Sequence, residues 1–105
     1  MKRAARLSRL EFIVPYPKRR TLANKILIQL IEADVESGFG LVDEAKSFSA
    51  SGKREFSSRA LQDAEGILTE IRRRLERLGE SESAPFQSLV SELRKEIAAA
   101  EQETG

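Results

Sequence analysis

Apolar residues recur at a helical interval along one unusually long stretch of this chain: Leu22, Ile26, Leu30, Ala33, Leu41, Ala45 and Phe48, with Ser37 in the one missing step. Their mean spacing of about 3.7 residues is that of an α-helix. A second line, Leu27, Ile31, Val35 and Val42, runs beside the first, so the helix must bury a wide face against two neighbours. Gly38 and Gly40 fall inside this stretch, and each costs about 1 kcal/mol relative to alanine in a helix interior. Because the apolar phase continues across them, the reading favours one long helix, with the glycines admitting a neighbouring helix or a bend. A turn at this point would instead give four helices.

The remaining punctuation completes an all-α plan. Pro15-Tyr16-Pro17 disfavours helix in the residue before each proline, so the body is expected to begin at Thr21 as N-cap. Gly52 offers a left-handed helix end, and Phe56, Ala60, Ala64, Ile67, Ile71, Leu75 and Leu78, widened by Leu61 and Leu68, mark a second helix closed by Gly79. Ser83 as N-cap and Pro85 in the first turn introduce a third, carried by Phe86, Leu89, Val90, Leu93, Ile97 and Ala100. The expectation is an antiparallel three-helix bundle with helices at about 21–51, 54–78 and 84–102, built as a body of residues 21–105 behind an arm of residues 1–20. At 105 residues the chain has room for one modest core.

A net charge of +1 conceals an uneven distribution. Lys2, Arg3, Arg6, Arg9, Lys18, Arg19 and Arg20 stand against Glu11 alone in residues 1–20, a net +6, and the rest of the chain carries −5. If residues 2–14 were helical, Lys2, Arg6 and Arg9 would share one side and Leu7, Leu10 and Val14 another. Those seven cations are the candidate anion-binding residues, toward nucleic-acid phosphates or another anionic surface. No segment holds the ~18–20 apolar residues of a membrane span. Arg6, Arg9 and Glu11 interrupt what a secretory leader would need as its apolar core, although the Arg-rich opening also matches an organellar transit peptide in composition. The absence of cysteine suits a reducing compartment, and a cytoplasmic setting is expected.

With neither cysteine nor histidine, the chain cannot by itself build a zinc finger, a disulfide framework or a Ser-His-Asp triad. Glu32, Asp34, Glu36, Asp43 and Glu44 gather acidic charge, but carboxylate-bridged metal centres in bundles add Glu-x-x-His pairs, and no metal or cofactor is expected. Small all-helical chorismate mutases work with Arg, Lys and Glu alone. Lys25 and Lys46 do not reproduce their pattern, and no catalytic constellation is recognisable. Gly38-Phe39-Gly40 lacks the spacing and the preceding strand of a phosphate loop. Arg72-Arg73-Arg74 would point in three directions from a helix and complement its C-terminal dipole, which reads as a solvated face.

Ala45, Phe48 and Gly52 followed by Ala60, Ala64 and Ile67 resemble the small-residue and aromatic spacing of a tetratricopeptide-type helical hairpin, a shape also used by microtubule-interacting-and-transport three-helix modules. The resemblance covers residues 41–72 and implies a protein-binding helical surface. The repeat's Trp, second-helix Tyr and closing Pro are absent. The functional expectation is therefore a non-enzymatic module for protein–protein interaction or self-association. Leu22, Ile26, Leu27 and Ile31 are the candidate interaction surface, because a first helix longer than the third leaves apolar surface for the arm or a second subunit. A homodimer is expected.

Overall fold

The computed structural model describes residues 16–104 as three helices: α1, Tyr16–Ala50; α2, Arg54–Glu76; and α3, Glu80–Thr104. Three-residue connections, 51–53 and 77–79, make consecutive helices antiparallel. α2 therefore runs back along α1, with Ser57 beside Ala45 and Arg74 beside Asp34. α3 then runs in the direction of α1, with Glu82 beside Asn24, Leu93 beside Gly38 and Glu96 beside Lys46. The core is one cluster in which Ile31, Val42, Ala45, Ala64, Ile71 and Leu93 are fully buried.

α1 is a single helix of 35 residues through both glycines. Gly38 earns its place by contact: a Cβ there would sit 2.8 Å from Leu93 Cδ2 and 3.4 Å from Cδ1, with Ile67 Cγ2 at 3.5 Å. The missing side chain is what lets α3 seat Leu93 against the α1 backbone. Gly40 has nothing within 4 Å of where a Cβ would be, so the fold makes no use of it.

Helix ends depart from expectation in two places. α1 begins at Tyr16 rather than Thr21, because Pro17 occupies its first turn, where the missing N–H would have no intrahelical partner anyway. Thr21 is thus an interior residue and not the cap. α3 likewise starts before Ser83: the Gly79 carbonyl accepts from the Glu82 and Ser83 amides at 3.1 and 3.0 Å, which starts the helix at Glu80. Ser83 Oγ donates to the Glu80 carbonyl at 3.2 Å instead of capping, and Pro85 lies inside the helix. Glu80 and Glu82 supply the negative charge that favours the N-terminal turn.

The α1–α2 connection is a Schellman turn. Gly52 has φ +78°, its amide bonds the Ser49 carbonyl at 3.0 Å, and the Lys53 amide bonds the Phe48 carbonyl at 2.8 Å. Phe48 and Phe56 pack across it with ring centroids 5.4 Å apart. Phe56 is nevertheless 51% exposed, so it covers the turn and is not part of the core line. The adjacent Ser57 takes the inward position, buried, with its hydroxyl donating to the Ala45 carbonyl at 2.8 Å.

The two α1 glycines should respond oppositely to alanine. Gly40→Ala is expected to raise monomer stability by about 0.8–1.0 kcal/mol, or roughly 4–8 °C in Tm. Gly38→Ala is expected to lower stability by about 1–3 kcal/mol, since the Leu93 side chain that would have to shift is fully buried. Thermal unfolding by circular dichroism compares them; equal responses would mean that α3 does not seat on Gly38. At Gly52 the space is open but φ is positive, so Gly52→Ala should cost about 1–2 kcal/mol through the backbone alone.

Candidate interaction surfaces

The two apolar lines of α1 have different fates, and helix geometry says why. Each residue turns the helix by about 100°, so Leu22 lies on the side opposite Ile31, nine positions on. The second line faces inward: Ile31, Val35 and Val42 are buried, and Leu27 packs half-buried against the core. The first line drifts toward the core only by Leu41 and Ala45; its early members, Leu22 at 52%, Ile26 at 59% and Leu30 at 42%, are exposed. Ile31 was expected on the interaction surface and is instead a fully buried core residue. Leu30, absent from the expected set, takes its place.

Ala33, Ser37 and Gly40 are also exposed and continue the same side of α1, Gly40 lying five whole turns from Leu22. The outer side of α1 thus passes from three large apolar residues to three small ones. Beyond Asn24, whose Nδ2 donates to Glu82 Oε1 at 2.8 Å near the start of α3, the turns of α1 that precede it extend past the helices that could cover them. Lys18, Arg19 and Arg20 fall at that end of α1; Lys2, Arg3, Arg6 and Arg9 lie outside the described residues.

The Arg72-Arg73-Arg74 run separates as helical geometry requires. Arg74 forms an ion pair with Asp34 of α1, both largely shielded from water. Arg73 meets Glu70 at 3.4 Å on the exposed side. Arg72 enters the seam between α2 and α3 and there lines two adjoining shallow depressions together with Arg94. One depression continues over Leu75, Glu76, Gln87 and Val90. The other continues over Leu68, Thr69, Ile97 and Ala98 to Glu65 and Glu101. The Glu101 carboxyl hydrogen-bonds that of Glu65; this contact, then burial, then the repulsion between the two raise its pKa above the ordinary glutamate value.

Of the residues weighed for chemistry, Lys46 reaches Glu96 at 3.9 Å and Lys25 is exposed. Among the described residues no three acidic side chains gather as a metal site would require, and no helix is long and apolar enough to cross a membrane. No family model, curated protein or solved structure matches the chain.

The Glu65–Glu101 pair sets a sign for pH dependence. With its pKa raised in the folded state, Glu101 holds its proton more tightly there than in the unfolded chain, so its contribution is present in acid and lost as pH rises through the raised pKa. Glu101→Gln should therefore raise Tm slightly at pH 7, by no more than about 3 °C at so exposed a site, with no gain near pH 3. An equal gain at both pH values would place the effect outside the carboxyl pair.

Proposed function

We propose that this chain is a non-enzymatic helical docking module, acting in the cytoplasm, whose outer α1 face binds an apolar helix supplied by another protein or by a second copy. The observation that carries the reading is the exposed series Leu22, Ile26 and Leu30 on the side of α1 turned away from its own core. Three large apolar residues one turn apart are the anchors a helix-in-groove contact uses. The small residues that follow, Ala33, Ser37 and Gly40, allow close backbone approach, and they give Gly40 a use that the fold of the single chain lacks. The likeness of residues 41–72 to a tetratricopeptide-type hairpin belongs with the same reading.

Sedimentation at micromolar protein and above tests it. Ile26→Asp should weaken association about 30-fold or more, as loss of an interface anchor does, and should leave Tm nearly unchanged because the side chain is already exposed. Such association should also tolerate salt. The rival reading, binding of nucleic acid through Lys2, Arg3, Arg6, Arg9, Lys18, Arg19 and Arg20, demands a steep fall in affinity with salt and its loss on removal of residues 1–20. A full chain indifferent to Ile26→Asp, with salt-sensitive binding to nucleic acid, would overturn the docking module.

A further inference from the structure

The α2–α3 seam has a charge pattern that its own chain does not satisfy. Seven residues, two helical turns, separate Glu65 from Arg72 on α2, and seven separate Arg94 from Glu101 on α3. The antiparallel pairing of the two helices puts like beside like. Glu65 and Glu101 line one end of the same depression, and Arg72 and Arg94 line the same two depressions. Neither arginine has a carboxylate within ion-pair distance among the described residues, although Arg73 and Arg74 beside them each have one. Between the arginine level and the glutamate level lie Thr69 and Ala98, short side chains over the buried Leu68 and Ile97.

A cation pair and an anion pair, equally spaced about a centre of small residues, form a surface that is complementary to itself when turned end over end. We propose that the seam is an interface between copies of this chain: a second copy docks about a twofold axis running across the seam at Thr69 and Ala98, so that Arg72 meets Glu65 of the partner subunit and Arg94 meets Glu101 of the partner subunit. The symmetry makes every contact occur twice, giving four opposite-charge contacts where the single chain has two like-charge ones. Each α2 lies antiparallel over its counterpart, as does each α3, and the small residues at the axis let the two layers approach. A rotation about the seam's own length would stack arginine on arginine, so the charges also select the orientation. Exposed ion pairs are individually weak and screened by salt, so this contact forms at high protein concentration and low ionic strength, without help from the α1 face. The inference rests on the self-association part of the proposed function but uses a different face.

The test uses the full chain carrying Ile26→Asp, which removes association through α1 and keeps the two faces distinguishable. In sedimentation at low salt, about 20 mM, Glu65→Lys with Glu101→Lys makes all four of these positions positive, leaving Glu76 at the end of the seam, and Arg72→Glu with Arg94→Glu makes all four negative. Each double variant alone should dimerise at least about tenfold more weakly than its parent, and an equimolar mixture should recover a heterodimer. A second measurement does not depend on charge. Because the chain contains no cysteine, Ala98→Cys, placed at the axis, should oxidise to a disulfide-linked dimer with mild oxidant, whereas Ser91→Cys, away from the axis, should not. A mixture that stays monomeric, charge variants that associate as the parent does, or equal cross-linking at Ala98 and Ser91 would each overturn the proposal. If Ile26→Asp alone abolishes all association, the seam interface fails while docking through α1 stands.

Discussion

The seating of α3 on the α1–α2 hairpin depends on how closely it approaches α1 at Gly38. α1 and α2 are joined by a tight turn and would meet as a hairpin wherever their apolar residues face. α3 has no such tether to α1 and holds it through side chains. Leu93 resting against the Gly38 backbone brings Val90 and Ile97, one turn to either side, down onto the same core. A side chain at Gly38 would force the end of the Leu93 side chain out of its present seat, at the expense of the contacts it makes there. The helix-propensity cost of one mid-helix glycine is the condition on which a third helix closes the core.

The three-helix architecture was legible because its signals are local and repeated: helical periodicity in all three segments, Gly52 and Gly79 near their ends, and few residues between. The continuity of α1 through Gly38 and Gly40 was legible for the same reason, since the apolar phase does not shift there. What the sequence did not disclose is which of the two apolar lines faces inward. Both have helical spacing, and the choice between them depends on where α2 and α3 lie, which is a tertiary fact. Ile31 shares helical spacing with Leu22 and Ile26 through the combined lines, yet nine residues from Leu22 put it on the opposite side, and Leu30 is the residue that stays outward. The helix starts carry a similar ambiguity, because Thr21 and Ser83 have good capping chemistry but Tyr16 and Glu80 begin helices that turn past them.

The polar groups are divided between fixing the bundle and facing outward. Asp34–Arg74, Asn24–Glu82 and Lys46–Glu96 connect different helices along their length, so each helix has a polar as well as an apolar reason for its position. Arg72, Arg94, Glu65 and Glu101 do the reverse, since within one chain they set like charge beside like along the α2–α3 seam. Consecutive residues Arg72, Arg73 and Arg74 thus serve three different surroundings. That is why the charge of a run, read without its helix, indicates so little about what the run does.

The buried hydroxyl of Ser57 has a consequence for the alternatives open to the folding chain. Apolar side chains on two antiparallel helices can slide by a turn and still find apolar neighbours, and many of the core positions of α1 and α2 are alanine, valine, isoleucine or leucine, which tolerate such exchange. A hydroxyl is less permissive. Its bond to the Ala45 carbonyl requires the close approach that alanine's short side chain permits, and a slip that set the hydroxyl beside the bulkier Leu41 would hold it away from the backbone. Ser57 therefore acts as an index mark, separating the native alignment of α1 and α2 from near-degenerate neighbours that hydrophobic burial alone would rank close beside it.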